Sequence, residues 1–444
     1  MSIEQHQSYL EKTIIFCLLA FSLTFFIEEK IADIFIRAGF LLILIYKLKQ
    51  PSVHFNWEYY KPYLLPLIIF YLGLFFLNFF SSNFSRSILT YEAWVKMLIP
   101  FLAVLLFATR KNTIKLLCIT VLFSLSINNL CAIYQYFFCH IPRAGGFNND
   151  VIGLSNLLLI QLPIFFLLTI KKSSAIYYKI FYILLSCIGI ITLFVNGTRM
   201  VWFIIIIDIL LLSFFLIKGW RKKLTVVLCF IILLTGLYNF NTKIYTRVNK
   251  LFNTNDVSTR GHFFYMRDGF RLFLHNFYFG VGLDNFQTAI LDQNLISPES
   301  KENLKHDMAA HINNTLVIPH AHNELVMFLS QFGIIGGILY ILLYGSILLH
   351  TFKNWRYKNN FIDLSMLFIT INFLLHGLDE YNFGNLGAMT IYFFIWGLYL
   401  LYTHADNGTF FARDIEKKYI IYPYVFILFI VLLRITSRYL AIHY

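Results

Sequence analysis

Val201-Trp202-Phe203-Ile204-Ile205-Ile206-Ile207 is apolar on every face. A barrel strand would alternate apolar and polar side chains over about ten residues. Inside hydrocarbon the backbone N–H and C=O groups must be satisfied within a helix or a closed barrel, so this run predicts a membrane-spanning helix. Similar runs, each of roughly 15–25 residues and so long enough to cross a bilayer, recur along the chain. They fall near 13–27, 31–46, 63–80, 88–108, 116–138, 151–170, 179–195, 200–217, 224–239, 322–350, 361–378, 385–402 and 419–434, the last being the weakest. The expected fold is an all-α polytopic membrane protein with about 12–13 transmembrane helices. One membrane domain is expected overall, with N-terminal spans in 1–239, one long polar loop at 240–321 and C-terminal spans in 322–444.

Composition agrees. Of 444 residues, 58% are hydrophobic and 13% charged, against roughly 25% charged in a soluble domain. The net charge of +13 would suggest nucleic acid in a soluble protein. Here it follows from Lys and Arg collecting in cytoplasmic loops, and no nucleic-acid partner is expected. The six Cys are scattered without a C-x-x-C pair, which indicates neither a zinc site nor a disulfide framework. The first run, Thr13–Ile27, lacks a basic lead and a small-residue cleavage site, so it reads as a retained helix.

With the N-terminus placed in the cytoplasm, inside breaks hold Lys47/Lys49/Lys61, Arg110/Lys111/Lys115, Lys171/Lys172/Lys179, Lys218/Arg221/Lys222/Lys223, Lys353/Arg356/Lys358 and Arg413/Lys417/Lys418. Short outside breaks hold little beyond Lys30, Arg86, Arg143 and Arg199. About twenty basic residues inside against about four outside fixes the orientation. The long polar segment then lies outside, which in a Gram-negative cell is the periplasm, and the protein is expected in the bacterial inner membrane with its site facing the periplasm.

Arginines on the outer side do not serve as inside anchors, so they carry information. Arg143 sits in Pro142-Arg143-Ala144-Gly145-Gly146-Phe147-Asn148-Asn149 and Arg199 in Asn196-Gly197-Thr198-Arg199, at the mouth of a helix. Arg260, Arg267 and Arg271 follow at offsets of seven and four, one face if 258–275 is helical. Guanidinium binds phosphate oxygens bidentately and keeps its charge, while Gly lets a backbone approach closely. The set suits a phosphate or diphosphate; each arginine singly also fits an interfacial anchor.

The second cluster is Pro319-His320-Ala321-His322-Asn323-Glu324, entering the run that ends near 350, with His306 and His311 upstream. A His at a helix N-terminus meets a dipole that disfavours imidazolium, which suits a neutral general base. The alternative is a satisfied interfacial His. His320-x-His322 lacks a placed carboxylate or Cys set, so no metal site is expected. Asp208, inside a span, reads as a helix-pairing residue. Asp379-Glu380 reads as a solvated outside loop, the alternatives being acceptor positioning or cation binding.

His322-Asn323, nine residues, then Gly333-Ile334-Ile335-Gly336 resembles the H-[NSQ]-x9-G-x-x-[GTY] signature of the O-antigen ligase family. Ser258-Thr259-Arg260 with Arg267-Asp268 and then Phe279-Gly280-Val281-Gly282 resembles its loop segment. Asn196-Gly197-Thr198-Arg199 resembles its T-G-S-R turn, and Arg143-Ala144-Gly145-Gly146-Phe147 its outside Arg/Gly/Phe turn. Phe264 stands where the family more often has Trp, and the run at 419–434 would put the C-terminus outside rather than inside.

The resemblance implies a helical membrane glycosyltransferase of the GT-C type, taking a glycan from an undecaprenyl diphosphate carrier without a cofactor. Ligases give the glycan to lipid A–core, polymerases to another repeat unit, and O-oligosaccharyltransferases to protein Ser or Thr. Ligase is preferred because the chain ends soon after the helical core; a lipid-linked glycan transporter is the non-enzyme alternative. In the implied reaction His322 is the base, and Arg143, Arg199 and Arg260 hold the donor diphosphate. Arg267, His320, Asn323, Glu324 and Gly333 support them. Partners are the carrier-linked donor, the lipid A–core acceptor and membrane lipid.

Overall fold

The computed structural model describes residues 3–49, 57–107, 111–170, 176–240, 256–306, 320–358 and 360–405, with 245, 249, 311–312, 315–316 and 318. Every apolar run before residue 406 is helical. The helices are α1 (Ile3–Thr24), α2 (Glu29–Lys49), α3 (Trp57–Leu77), α4 (Phe84–Lys96), α5 (Ile99–Phe107), α6 (Lys111–Phe137), α7 (Val151–Ile170) and α8 (Ile176–Asn196). They continue as α9 (Arg199–Leu216), α10 (Trp220–Phe240), α11 (Val257–His275), α12 (Phe286–Asp292), α13 (Pro298–His306), α14 (Glu324–Lys358), α15 (Phe361–His376) and α16 (Leu386–Ala405). A two-residue antiparallel pair, β1 (His311–Ile312) with β2 (Thr315–Leu316), is the one β element among the described residues.

The protein is an all-α, multi-pass membrane protein. Among the described residues eight helical stretches are long and apolar enough to cross a membrane, α4 and α5 counting together as one, and α15 is a shorter apolar helix. The expected run at 419–434 and the basic residues Arg110, Lys171, Lys172, Arg413, Lys417 and Lys418 lie outside the described residues.

Two compact units emerge. The first gathers Met1–Tyr60, Met97–Leu157 and Thr390–Tyr444. Its helices close on aromatic packing: Phe101 stacks on Trp396 at 5.0 Å, and Phe21 meets Phe394 edge-on at 5.2 Å. Leu23, Ile27 and Phe147 form a smaller core.

The second unit comprises Lys61–Lys96 and Leu158–Met389. Phe328 of α14 is fully buried between Phe70 at 5.8 Å and Phe383 at 5.2 Å. Asp208 is buried and accepts a hydrogen bond from Asn372 Nδ2 at 2.7 Å, joining α9 to α15. That is the helix pairing expected of it, a bond worth on the order of 1 kcal/mol in lipid.

The polar segment is packed. Tyr265, Leu272, Phe286, Ile290, Leu304, Ile318 and Met327 are buried together, so α11, α12 and α13 share a core with the start of α14. Phe264 packs on that core and carries the Arg267 guanidinium at 5.2 Å from its ring. Beneath it Asp268, fully buried, accepts from Ser297 N at 3.0 Å, Ser297 Oγ at 2.9 Å and Ser300 Oγ at 2.5 Å.

Gly280-Val281-Gly282 fixes how this segment meets α14. Val281 N donates to Ser330 O at 3.0 Å, Gly282 N to Gln331 O at 2.7 Å, and Ile334 N to Phe277 O at 2.8 Å. α14 breaks at Gly333, with φ 64° and ψ −165°, which leaves its carbonyls free to receive the turn. A Cβ on Gly333 would lie 2.2 Å from Tyr278 O, and one on Gly280 would lie 2.3 Å from the Gln331 carbonyl carbon. The spacing from His322 to Gly333 is therefore a ruler. One end is the His before the helix and the other is the break where the loop docks.

Candidate active site

Three segments of the second unit meet at His322: α11, the residues leading into α14, and the break between α15 and α16. Asn323 Oδ1 accepts from Val326 N at 3.0 Å, capping α14, and its Nδ2 donates to Leu378 O at 3.1 Å. Glu324, buried, ties down the same break. Its N donates to Gly377 O at 2.7 Å, and its carboxylate accepts from Asn382 Nδ2 at 3.0 Å and Phe383 N at 3.2 Å. Both residues, expected as supports, hold the 377–383 segment against the start of α14.

That segment is not a solvated loop. Glu380 is buried and Asp379 half-buried, because Asn323 and Glu324 fold the break inward over the histidines. This corrects the sequence reading, which lacked the contact. Glu380 Oε2 lies 3.5 Å from His322 Nδ1 and 3.8 Å from His320 Nε2. Burial would raise its pKa, but the nearby His322, with the charges of His320 and His262, holds it down at about 2.

His322 has φ 48°, a left-handed conformation rare for a residue with a Cβ and found where surrounding structure enforces it. Its backbone N donates to His320 Nδ1 at 3.2 Å. That bond assigns His320 as the tautomer carrying its proton on Nε2, toward Glu380. Burial, and then the neighbouring His322, push the His320 pKa down to about 3 against the pull of Glu380, so His320 is a neutral acceptor that fixes the turn.

His262, which the sequence reading did not single out, stacks on His322 with ring centroids 3.9 Å apart and planes within 17°. Its Nδ1 lies 2.8 Å from Asp379 Oδ1. Burial works to lower its pKa, but the Asp379 bond and charge, with Glu380, outweigh burial and the Arg199 charge, and the net shift is upward. The one sequence signal was a His two residues past Arg260 in a segment already marked.

Arg199 reaches the start of α11, the helix that carries Arg260. Asn196 Oδ1 accepts from Thr198 Oγ1 at 2.7 Å and Gly197 has φ 73°, a turn that puts Arg199 at the first position of α9. Its guanidinium reaches Thr259 Oγ1 at 3.3 Å, Ser258 Oγ at 3.4 Å and Asp256 Oδ1 at 3.5 Å. Arg260 is half-buried, its Nε enclosed with no hydrogen-bond partner among the described residues.

The helical face joining Arg260, Arg267 and Arg271 is present, but the three differ in use. Arg267 reaches Ser297 Oγ at 2.5 Å and Glu299 at 3.1 Å, and Arg271 reaches Asp268 at 3.4 Å. Arg143 belongs to the first unit. Its turn is built by α6, where Gln135 Nε2 donates to Gly146 O at 2.7 Å and Asn128 Oδ1 accepts from Phe147 N at 2.9 Å.

His262, His322 and Glu380 each offer a ligand atom, all within 4.8 Å of one another, so Glu380 does supply the carboxylate the sequence reading found missing. A metal sits in the plane of each imidazole at roughly 2.0–2.1 Å. Stacked planes share no such point. As arranged, the cluster offers a cation one of its two rings, not both.

The second unit thus holds a histidine with a buried carboxylate beside it and two arginines near the start of one helix. Residues 180–341 match the family described as O-Antigen ligase. This stretch of the chain is similar to the O-antigen ligase family. The matched O-antigen ligase region includes Arg199, Arg260, His262, His322 and Gly333; Arg143, Asp379 and Glu380 lie outside it. The similarity supports a ligase- or polymerase-type glycosyl transfer. No curated protein matches the chain.

Proposed function

We propose that this protein is an O-antigen ligase of the bacterial inner membrane, transferring a glycan from an undecaprenyl diphosphate carrier to lipid A–core at the periplasmic face. The observation that carries the reading is the dyad of His322 and Glu380, 3.5 Å apart, in the unit that also holds Arg199 and Arg260.

In this scheme Glu380 orients His322 through Nδ1 and leaves Nε2 for the acceptor. His322 Nε2 takes the proton of the acceptor hydroxyl as its oxygen forms a bond to the anomeric carbon. The bond from that carbon to the diphosphate oxygen breaks, its electron pair leaving with the lipid diphosphate, and the configuration inverts. Imidazolium then returns its proton to solvent. A positioned base contributes about 10²–10⁴-fold. Arg199 and Arg260 stabilise the charge developing on the leaving diphosphate, so the scheme requires no metal.

Deletion of the gene, with gel separation of lipopolysaccharide and glycoprotein, tests this. A ligase loses the glycan ladder from lipid A–core while polymer persists on the carrier. Loss of polymer itself indicates a polymerase, and loss of glycan from protein an O-oligosaccharyltransferase. An unchanged ladder overturns the reading. Reconstitution with a labelled donor separates transfer from transport: an enzyme makes a new glycosidic bond, and a transporter changes only leaflet occupancy.

A further inference from the structure

The stacked pair contains a histidine that the transfer scheme leaves without a task. His262 covers one face of the His322 ring at 3.9 Å, and its own Nδ1 is fixed by Asp379 at 2.8 Å. The two rings come from different segments, α11 and the approach to α14, so the stack is a tertiary contact and not a local turn. Two imidazolium rings face to face would repel, which restricts the pair to one positive charge. The carboxylates divide unequally between the rings, since Asp379 bonds His262 directly while Glu380 stands off His322 at 3.5 Å and is shared with His320 at 3.8 Å.

We propose that His262, paired with Asp379, is a positioning residue for the base, clamping the His322 ring face-on and carrying the positive charge of the stack. The inference rests on His322 being the base of the transfer reaction. The groups facing His322 are His262 and Tyr265 from α11, His320 from its own segment, and Glu380 from the break after α15. Asp379 and Arg199 act on His262, the first favouring its charged form and the second opposing it, and the net upward shift agrees with the charge residing there. His320 accepts the backbone N–H of His322 and stays neutral, so it adds no competing charge.

His262→Phe keeps a flat ring on His322 and removes the charge. Without a neighbouring cation His322 takes up a proton more readily. The acid limb of kcat/KM for glycan transfer then moves to higher pH by about 1–2 units, and activity recovers at alkaline pH. Glu380→Gln removes the opposing charge and moves the acid limb the other way, to lower pH. A merely structural role for His262 would lower kcat at every pH and leave the limb in place.

The readout independent of transfer is the pH dependence of diethyl pyrocarbonate labelling at His322, followed by mass spectrometry on the full chain in detergent. This reagent modifies neutral imidazole. The expected result is a labelling midpoint displaced upward in His262→Phe and downward in Glu380→Gln. Unmoved midpoints in both variants overturn the proposal. Displaced midpoints in a protein that transfers no glycan uphold the charge arrangement and sink the ligase reading instead.

Discussion

The Nδ1 atom of His322 stands 3.5 Å from the carboxylate of Glu380, a residue 58 positions away in sequence. A carboxylate on one ring nitrogen fixes the tautomer that leaves the other nitrogen as acceptor. Glu380→Gln is expected to lower kcat by about 10²–10⁴, the scale of a misassigned base. KM for the lipid-linked donor stays near wild type, because the arginines are untouched. Steady-state kinetics on the reconstituted enzyme checks this, and a variant within threefold of wild type at every pH would remove Glu380 from the reaction.

His322→Ala is expected to eliminate attachment of long glycan to lipid A–core while carrier-linked glycan accumulates. The loss should reach at least ~10², and added imidazole should restore a fraction of it. A normal ladder in this variant would show that the proton is taken elsewhere.

Arginine geometry separates charge from fork. Arg199 already spends part of its guanidinium on Thr259, Ser258 and Asp256, whereas Arg260 keeps an enclosed Nε without a partner among the described residues. Arg260→Lys keeps the charge but loses bidentate reach, so transfer should fall about tenfold or more. Arg199→Lys should also impair transfer and loosen the start of α11. Donor-concentration series on both variants decide it: unimpaired transfer in Arg260→Lys would mean that the fork is not used.

The spans, the helical loop segment and the place of His322 just before a helix were legible because each has a local signature: continuous apolarity, a seven-and-four arginine spacing, a His before a helix with Gly333 at a set distance. Asp379 and Glu380 were not. A pair of acids after a span looks like any solvated loop, and their inward fold depends on Asn323 and Glu324 bonding to Leu378, Asn382 and Phe383, a contact with no sequence period. His262 was hidden for the same reason, since stacking against His322 is a tertiary event. Arg267 was legible as an arginine but not as a structural one, because Ser297 and Glu299 approach it from across a turn.

Acid should destabilise the fold through two groups of opposite chemistry. His320 is held neutral down to about pH 3, so from 6.5 to 3 the unfolded chain binds a proton that the folded chain does not. Glu380 stays ionised down to about pH 2, so the same holds from 4.5 to 2. Stability rises with pH wherever the unfolded state binds more protons, and both contributions fade on acidification. His262 works in the other direction, since its raised pKa gives stability that is full below 6.5 and is lost as pH rises through its folded value. Tm measured against pH should therefore peak near neutrality and fall steeply toward pH 3. His320→Asn should flatten the limb between 6.5 and 3, and an unchanged limb would contradict the neutral assignment.

Asp268 is a hub whose loss would be felt in folding. It is fully buried, accepts from Ser297 and Ser300, and faces Arg267 at 3.5 Å and Arg271 at 3.4 Å. Removing one member of a buried ionic network costs about 3–5 kcal/mol. Asp268→Ala should lower Tm and make the 256–306 segment sensitive to protease before the spans unfold. Limited proteolysis with fragment mapping reads this, and wild-type resistance would show that the apolar core of the segment suffices alone.

Gly333 tests the ruler directly. Its backbone lies at φ 64° and ψ −165°, a region closed to residues with a Cβ at a strain of about 1–3 kcal/mol. A Cβ there would also meet Tyr278 O at 2.2 Å. Gly333→Ala therefore has two ways to relieve itself, by expelling the 277–282 turn or by straightening α14, and both break the bonds from Val281 and Gly282 to Ser330 and Gln331. Expected results are a lower Tm, weaker membrane accumulation and reduced transfer. Gly345 in the same helix has nothing within 4 Å of an added Cβ, so Gly345→Ala should be neutral or gain about 0.5–1 kcal/mol from helix propensity. Equal effects from the two substitutions would mean that the signature glycine marks ordinary helix packing and sets no distance between the loop and His322.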